Sequence, residues 1–520
     1  MSITLEPFRN ESYRDFTQPE HRKAMEEALK EARGALGREY ELLIGGKPQK
    51  GEGTFESRNP SRPAEVVGRH QRATPEQAKQ AVDAAHSYFT DWGRTPVALR
   101  VGMLVRAAEL LRQRKSEFNA WLILEAGKNW VEAEADTAEA IDFCEYYARQ
   151  MAKLADPDPL VQMPGEKDEI VYLPLGVGVI IPPWNFPLAI MAGMATAALV
   201  AGNTVIIKPS SDTPTIAAKF VEVLLEAGFP AQSFAFVTGS GATIGDALVE
   251  HPKTRFVSFT GSRDVGLHIN QIAAMPRKGQ IWIKRVIAEM GGKDAIIVDA
   301  EADLEQAAAG VVASAFGYQG QKCSACSRAI VDQSLYDAFV KKVKSRVEEL
   351  KVGPADEFGY DMGPVINEGA RKKILEYVET GTREGRLITG GNITSGEGHF
   401  LQPTVIADVD EHSPIFQEEI FGPVLAVTRA RDFDHALELA NSTEYGLTGA
   451  VYTSNADKIR AARERFFVGN LYINRKCTGA MVGAHPFGGF NMSGTDSKAG
   501  GPDYLLQFLQ AKSIAEKIGV

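Results

Sequence analysis

The stretch VGVIIPPWNFPLAIMAGMATAALVAGNTVIIK, residues 177–208, decides the fold. It opens with a short β-branched run, passes through a proline-rich turn and an alanine-rich segment, and closes with a second β-branched run, TVIIK. Short apolar runs that alternate with helical segments are typical of parallel strands joined by crossover helices. The stretch therefore predicts a strand–helix–strand unit.

The same alternation continues toward the C-terminus in two series. The first series predicts strands at FAFVT (234–238), RFVSFT (255–260) and RVIAE (285–289). The second predicts strands at AIIVD (295–299), RAIVD (328–332), VLAVTRA (424–430), GAVYTS (449–454) and GNLYIN (469–474). The pattern indicates an α/β fold with a doubly wound parallel sheet, which binds nucleotides at its strand ends. The mixed pattern of residues 504–520 suits a segment that pairs with a partner chain.

Composition narrows the class of protein. The chain has 520 residues, of which 44% are apolar and 24% charged, an ordinary globular composition. Its length favours more than one domain, because single cores stop growing at roughly 250–300 residues. The net charge is −10 and there is no dense Lys/Arg tract, so we expect no nucleic-acid partner.

Cysteine usage and hydropathy indicate the compartment. Four cysteines in 520 residues are too few for a disulfide scaffold and are typical of a reducing environment. The N-terminal MSITLEPFRNESYRDF has no apolar core, so we do not interpret it as a signal or transit peptide. Prolines 182, 183 and 187 interrupt the most apolar stretch, residues 180–200, which favours a buried turn and helix over a membrane span. We expect a cytoplasmic protein.

The segment GYQGQKCSACSR, residues 317–328, holds a candidate nucleophile. Cys323 follows a Gly-Gln turn, where a thiol of pKa about 8.5 could attack a substrate once it is activated. A buried structural thiol is the competing interpretation. Cys323 and Cys326 also form a C-x-x-C pair, but zinc needs four ligands and no second Cys/His pair has metal spacing, so we expect no metal.

Four further segments place polar groups beside predicted strand ends. Glu289, in AEMGGKD, ends a strand and could act as a general base, whereas a lone Glu there is usually just solvated. Asn185, in PPWNFP, could donate to an oxyanion or simply cap a helix. Lys208, in KPSSDTP, could contact a ribose or phosphate. FTGSRDVG, residues 259–266, lacks the G-x-G-x-x-G spacing and is weak evidence alone.

Taken together, these motifs resemble the aldehyde dehydrogenase family. PWNFP, KPS, FTGS, EMGGK, GQKC, EEIFGP (418–423) and PFGGF (486–490) occur in the family's order across about residues 40–500. The resemblance implies a Rossmann-like parallel-sheet NAD(P)-binding domain, an α/β catalytic domain that carries Cys323, and a small oligomerisation flap. These domains would comprise residues 1–148 with 172–288, residues 289–480, and residues 149–171 with 501–520, respectively.

The resemblance also implies a role for each site residue. Cys323 would attack the aldehyde, Asn185 and the Cys323 N–H would stabilise the oxyanion, and Glu289 would activate the hydrolytic water. Residues implied to contact the cofactor are Pro183, Trp184, Lys208, Ser211, Gly241, Phe259, Thr260, Gly261, Ser262, Gly266, Glu289, Gly291, Glu419 and Phe421. Residues implied to contact the substrate are Phe186, Ser324, Gly479, Ala480 and Phe487.

Three segments resemble one branch of the family, which oxidises L-glutamate γ-semialdehyde, the open form of 1-pyrroline-5-carboxylate, to L-glutamate in proline catabolism. They are EPFRNESYRDF, GQKCSACSR and NRKCTGAMVGAHPFGGFNMSGT (474–495). In the last of these, the small residues Thr478-Gly479-Ala480 leave room for backbone N–H groups to bind an α-carboxylate, although a plain turn is the alternative.

Other functions remain as alternatives at this point. Another semialdehyde dehydrogenase, such as one for succinic semialdehyde, would be favoured by an Arg in the pocket. A non-catalytic scaffold would be favoured by loss of Cys323 or Glu289, and both are present. A thiol hydrolase would need a His beside the thiol, for which His268 and His485 are the nearest candidates in motif terms.

The resemblance makes NAD the expected cofactor. Many NAD-selective relatives have Glu three residues after the lysine that matches Lys208, and this chain has Ser211 there, which leaves NADP open. We expect a small-molecule aldehyde substrate, a separate proline dehydrogenase as its supplier, and a homo-oligomer of at least two chains.

Overall fold

A computed structural model describes residues 5–394 and 396–518 of the chain. Its strands are β1 (Arg38–Tyr40), β2 (Leu42–Ile44), β3 (Lys47–Gln49), β4 (Thr54–Asn59), β5 (Arg62–Gln71), β6 (Glu166–Pro174), β7 (Val177–Ile181), β8 (Thr204–Ile207), β9 (Phe234–Phe236), β10 (Thr254–Thr260), β11 (Arg285–Glu289), β12 (Asp294–Val298), β13 (Cys326–Asp332), β14 (Arg386–Thr389), β15 (Thr404–Ala407), β16 (Val424–Ala430), β17 (Tyr445–Gly446), β18 (Thr448–Tyr452), β19 (Asn470–Ile473), β20 (Phe490–Asn491) and β21 (Leu509–Lys517).

Its α-helices are α1 (Pro19–Gly34), α2 (Pro75–Gly93), α3 (Val97–Gln113), α4 (Lys115–Ala126), α5 (Trp130–Leu154), α6 (Ala189–Val200), α7 (Pro214–Glu226), α8 (Asp246–Glu250), α9 (Arg263–Ala274), α10 (Leu304–Phe316), α11 (Tyr336–Glu348), α12 (Glu368–Glu384), α13 (Pro414–Gln417), α14 (Phe433–Asn441) and α15 (Ala456–Arg465).

The first large sheet has the strand order β11-β10-β7-β8-β9-β2-β3. The five strands from β11 to β9 are parallel, whereas β2 and β3 add an antiparallel edge. The opening stretch forms β7, α6 and β8, and Val179 of β7 lies between Ile206 and Val257 of the neighbouring strands. Because α6 is buried along its whole length, the apolar stretch is a core helix, as predicted. Among the described residues, no helix is both long and apolar enough to cross a membrane.

The second large sheet has the order β14-β15-β16-β13-β12-β18-β19, and all of its strands except β14 run parallel. Helix α10 packs on it and begins at Asp303, whose carboxylate accepts the N–H groups of Glu305 and Gln306, each at 3.0 Å. The helix ends at Phe316, and a tight turn follows in which Tyr318 and Gln319 have φ of 48° and 56°. Cys323 follows this turn, and its backbone lies beside the link between β11 and β12, because a Cβ at Gly292 would come within 2.7 Å of the Cys323 carbonyl oxygen.

The C-terminal tail pairs with its own chain. β21 runs antiparallel to β6 from Leu509 opposite Pro174 to Lys517 opposite Glu166. The sequence pattern had suggested a partner chain, and the structure supplies an intrachain strand instead. In the described part of the chain, this two-stranded sheet has no further strand at either edge, so pairing with a second copy stays a prediction.

Two of the observed elements cross the boundaries expected for the flap. Helix α5 runs through the expected boundary at residues 148/149, and β6 runs through the one at residues 171/172. Because cutting either element would break its hydrogen bonding, we propose that the flap begins after Leu154 and includes all of β6 and β21. The small sheet β1-β5-β4 near the N-terminus had no counterpart in the sequence analysis.

Candidate active site

The carboxyl ends of five adjacent parallel strands gather the predicted cofactor residues on one edge of the first sheet. Most of these residues directly follow or end β7, β8, β9, β10 or β11: Pro183, Trp184, Lys208, Ser211, Gly241, Phe259, Thr260, Gly261, Ser262 and Glu289. Ligands of open α/β sheets bind in the crevice outside these strand ends.

The β8 and β9 ends form an open polar surface. The Lys208 side chain is buried, and its ammonium donates to the Pro209 carbonyl at 3.1 Å. Burial lowers the pKa of Lys208 to about 8. Ser211 is exposed, with its hydroxyl 3.5 Å from the Gly239 carbonyl oxygen. Gly241 is also exposed, and no atom lies within 4 Å of the position that a Cβ would take there.

The β10 end leads into the N-terminus of α9. Ser262 precedes the helix in an extended conformation, and its side chain makes no capping hydrogen bond. The Gly261 N–H donates to the Glu289 carbonyl at 3.1 Å, which ties the ends of β10 and β11 together. Gly266 packs so closely on Met290 that a Cβ would lie 2.5 Å from the sulfur. These close contacts explain the glycines in FTGSRDVG.

Cys323 lies in an acidic, partly buried environment. Burial raises the pKa of its thiol, and the neighbouring carboxyl groups of Asp294, Glu419 and Glu289 raise it further. Asn185 is buried, and its Nδ2 donates to the Gln321 carbonyl at 2.9 Å, two residues before the cysteine. The Asn185 amide is therefore fixed beside the nucleophile segment.

Glu289 occupies the end of β11 and is held by the C-terminal region. It accepts hydrogen bonds from the Ser497 hydroxyl and, at 3.4 Å, from the Gly489 N–H. Burial raises the pKa of Glu289 to about 8, against the opposing effects of Ser497, Gly489 and Lys498. A Cβ at Gly488 would lie 3.0 Å from its Oε1. The carboxyl is thus placed to exchange a proton near neutral pH.

Glu419 contacts the link between β11 and β12, and Phe421 contacts the segment that follows β7. The Glu419 carboxylate accepts the Gly292 N–H at 3.1 Å, and a Cβ at Gly291 would lie 2.2 Å from one of its oxygens. The two glycines of AEMGGKD therefore make room for this carboxylate. Phe421 has φ of 59°, and its ring meets that of Trp184 edge-on, with the centroids 5.4 Å apart.

The loop Thr478-Gly479-Ala480 presents unused backbone donors. Among the described residues, no acceptor bonds the N–H group of any of the three. The carbonyls of Thr478 and Gly479 are engaged separately, because Arg475 donates to their oxygens at 3.0 and 3.1 Å. Gly479 is exposed and has φ of 78°, which favours glycine. Successive amides that point to one side form an anion-binding concavity.

The other predicted substrate residues lie close to the catalytic groups in the chain or in space. The carbonyl of Ser324 accepts a hydrogen bond from the Cys477 thiol at 3.4 Å. The Thr478–Ala480 loop, which follows Cys477 directly, is thereby linked to the residue after the nucleophile. Phe186 follows Asn185 directly. Phe487 exchanges backbone hydrogen bonds with Ala499, next to the Gly488-Gly489 turn that contacts Glu289.

Sequence reasoning missed a charged row on α5 and its neighbour Lys128. The Lys128 ammonium is fully buried, 3.5 Å from Asp136 and 3.7 Å from the centroid of the Phe186 ring. Glu132 accepts a salt bridge at 2.7 Å from Lys322, which precedes the nucleophile. Burial raises the pKa of Glu139 to about 8. The signal was available, because carboxylates at positions 132, 136 and 139 share one face of a helix.

Comparisons with known proteins agree with this geometry. Residues 47–514 match the aldehyde dehydrogenase family. The chain is 58% identical to the 1-pyrroline-5-carboxylate dehydrogenase of Geobacillus thermodenitrificans over 98% of this chain and 99% of that protein. It is 55% identical to the protein of the same name from Bacillus mycoides, over 98% of this chain and 99% of that one.

A solved structure of 1-pyrroline-5-carboxylate dehydrogenase from Thermus with bound NAD superposes with a TM-score of 0.97 at 50% identity, covering 99% of this chain and 100% of that one. The predicted α/β aldehyde dehydrogenase fold and the enzyme class are thereby confirmed. The chain belongs to the aldehyde dehydrogenase family.

Proposed function

We propose that this enzyme oxidises L-glutamate γ-semialdehyde to L-glutamate with NAD as the hydride acceptor. The observation that carries the proposal is the set of three unused N–H groups in the Thr478–Ala480 loop, which is linked to Ser324 beside the nucleophile. A carboxylate-binding loop at this place suits an aldehyde whose other end is an amino acid. The relatives named above point to the same substrate.

The residues at the strand ends fit a dinucleotide. The exposed surface around Gly241 and the uncapped start of α9 at Ser262 offer open backbone toward phosphates, as helix N-termini do elsewhere. We expect Lys208 and Glu419 to contact the riboses, and Phe421 to contact the nicotinamide, as the family resemblance implies. When bound, NAD supplies the acceptor for the hydride that leaves the substrate carbon.

In the first step, the Cys323 sulfur bonds to the aldehyde carbon and gives a thiohemiacetal. The Asn185 amide has one hydrogen committed to the Gln321 carbonyl, which leaves the other to donate to the developing oxyanion together with the Cys323 N–H. Hydride loss from this carbon leaves a thioester on the sulfur. Because burial and the neighbouring carboxyl groups raise the pKa of the thiol, it rests in the neutral form, and its proton passes to solvent as the C–S bond forms.

In the second step, Glu289 takes a proton from a water that attacks the thioester. Its pKa of about 8 suits a general base near neutral pH, and the Ser497 and Gly489 hydrogen bonds orient the carboxyl. The C–S bond then breaks, Cys323 recovers its proton, and the γ-carboxylate of the product forms. Acylation and deacylation thus use different residues of one site.

The position of Arg475 weighs against succinic semialdehyde as the preferred substrate. Its guanidinium is engaged by the carbonyls of Thr478 and Gly479 and lies 4.4 Å from the centroid of the Tyr472 ring, so it supports the loop from behind.

We also propose a homo-oligomer in the cytoplasm. Ile281 and Ile283 are 85% and 88% exposed, and a second copy of the chain would bury them. The four cysteines are free, as in a reducing compartment. We expect a separate proline dehydrogenase to supply the substrate. A structure of proline utilization A from Bdellovibrio bacteriovorus, 43% identical with a TM-score of 0.97, matches 99% of this chain with 54% of its own.

An NAD-reduction assay over a panel of aldehydes tests the proposal. We expect the highest kcat/KM for L-glutamate γ-semialdehyde, a lower value for succinic semialdehyde and the lowest for hexanal, because a site built to bond polar groups rejects analogues that lack them. L-glutamate should inhibit as the product. A higher kcat/KM for hexanal or succinic semialdehyde would overturn the substrate assignment and leave the family assignment intact.

A further inference from the structure

The N-terminal arm, residues 5–16, reaches the loop that follows the anion-binding residues. Asn10 is the bridging residue, since its Nδ2 donates to Asp142 Oδ2 at 2.8 Å and to the Val482 carbonyl at 3.0 Å. The next residue, Glu11, donates its backbone N–H to Asp142 Oδ1 at 2.7 Å. Asp142 and Val482 are both buried. One buried carboxylate on α5 thus fixes the arm, and the arm fixes the loop.

Apolar contacts strengthen the same junction. The Phe8 ring meets the Tyr146 ring edge-on, with the centroids 5.1 Å apart. Gly483 lies between these rings, because a Cβ there would come within 3.1 Å of both. Farther along the arm, the Tyr13 hydroxyl lies 3.6 Å from the Met481 sulfur. Residues 481–483 are therefore in contact with the arm at each position.

The arm is itself anchored to rigid helices. Lys115 donates to the Ser12 carbonyl at 2.7 Å, and the Arg14 N–H donates to Glu134 at 2.8 Å. Arg149 donates to the Glu6 carbonyl at 2.7 Å. Phe16 is buried and packs edge-on against Trp130 at 5.3 Å. These contacts transmit the position of α5 and its neighbours to the loop.

The inner side of the loop has its own brace. Arg475 holds the carbonyls of Thr478 and Gly479, and the Met481 N–H donates to His485 Nδ1 at 3.1 Å. The Arg475 guanidinium lies 3.3 Å from the other nitrogen of His485. Residues 478–483 are therefore held between this brace and the arm.

We propose that Phe8 and Asn10 are positioning residues for the carboxylate end of the substrate. The arm holds residues 481–483, and so aims the free N–H groups of residues 478–480 at the α-carboxylate. This inference rests on the proposed function. Neither side chain is among the residues proposed to touch the substrate, so the effect acts through the loop. Donors stabilise a charge best when they are fixed in advance, and small misplacements reduce binding strongly.

The test compares Asn10→Ala and Phe8→Leu with the natural chain. For each variant, we expect KM for L-glutamate γ-semialdehyde and the inhibition constant of L-glutamate to rise together by roughly tenfold. This is the order expected if the displaced loop loses one hydrogen bond to the substrate carboxylate. We expect kcat to change less than twofold, and kcat/KM for hexanal to stay unchanged. Arg9→Ala is the matched control, because Arg9 is exposed on the same arm and makes no hydrogen bond among the described residues.

The outcomes separate the two proposals. If the natural chain fails to oxidise the semialdehyde, the proposed function falls, and the role of the arm falls with it. If the natural chain is active and both variants keep its KM and glutamate inhibition, the arm proposal alone is overturned. Equal losses toward the semialdehyde and hexanal would also overturn it, because they would show a general structural role. Phe8→Leu keeps the test decisive if Asn10→Ala does not fold.

Discussion

The Cys323–Glu289 corner and the Thr478–Ala480 loop differ in burial and in the chemical groups that they present to the substrate. The corner is enclosed, and burial raises the pKa of both its groups. In the loop, Gly479 is exposed, the donors are backbone amides that do not titrate, and Arg475 holds the carbonyls of Thr478 and Gly479. The corner suits bond making and breaking, whereas the loop suits recognition. The comparison teaches that chemistry and selectivity are separable in this site, and the following predictions test that separation.

The largest effect should come from the corner. We expect Cys323→Ala to reduce NADH formation by more than about a thousandfold with every aldehyde, because no other group forms the covalent intermediate. Cys326→Ala and Cys144→Ala are the controls and should keep most of the activity, since both thiols are buried away from the reaction. Substantial NADH formation by the Cys323 variant would contradict the assignment of the covalent chemistry to the Cys323–Glu289 corner.

Glu289→Gln should separate the two chemical steps. A general base typically contributes ~10²–10⁴-fold, and here the loss should fall on thioester hydrolysis. Rapid mixing should show up to one NADH per site formed quickly, followed by slow turnover. Equal losses in the burst and in the steady state would assign Glu289 another role, such as activation of Cys323.

The pH dependence should sharpen the comparison further. The pKa of Glu289 is raised to about 8, so the carboxyl is mostly neutral below that pH, and its ionised, base-competent fraction grows as the pH rises toward 8. Single-turnover deacylation should therefore increase by roughly fiftyfold between about pH 6 and 8. This increase of the deacylation rate with pH should be absent in Glu289→Gln. The affinity for L-glutamate at the loop should not show this pH dependence. The same pH dependence for binding and for deacylation would contradict the separation of recognition from chemistry.

On the recognition side, Gly479→Val should act on binding. Val is strained at φ of 78°, and its side chain would crowd both the loop and Lys476, whose Cε lies 3.3 Å from the Cβ position. We expect KM for the semialdehyde to rise by roughly tenfold, as for loss of a bond to a charged group. Hexanal oxidation is the control and should change little. A matching loss with hexanal would show that the loop also supports the chemistry.

The smallest effect should lie at the far end of the cofactor site. We expect NAD to be preferred over NADP, but less strongly than in relatives with Glu at the position of Ser211. Ser211→Glu should widen the preference by a few-fold through repulsion of the 2′-phosphate, in line with an exposed charge worth about 1 kcal/mol or less. An unchanged ratio of kcat/KM for the two coenzymes would place the adenosine ribose elsewhere.

The sequence predicted what depends on local pattern. Ten of the fourteen strands in the two large sheets follow from the periodicity of the sequence, and the structure confirms them, whereas β2, β3, β14 and β15 were not predicted. The partner of β21 did not follow, because pairing between residues more than 300 positions apart leaves no local signal. Buried Lys128 was missed for the same reason, since only tertiary packing places it on Phe186.

Trapping the acyl-enzyme tests the central claim most directly. Glu289→Gln would be mixed with NAD and L-glutamate γ-semialdehyde, quenched in acid, digested and analysed by mass spectrometry. The account predicts a single γ-glutamyl thioester on the peptide that carries Cys323, formed in step with one NADH per site, and none in Cys323→Ala. A glutamyl adduct on another residue, or a full NADH burst with no adduct on Cys323, would contradict it.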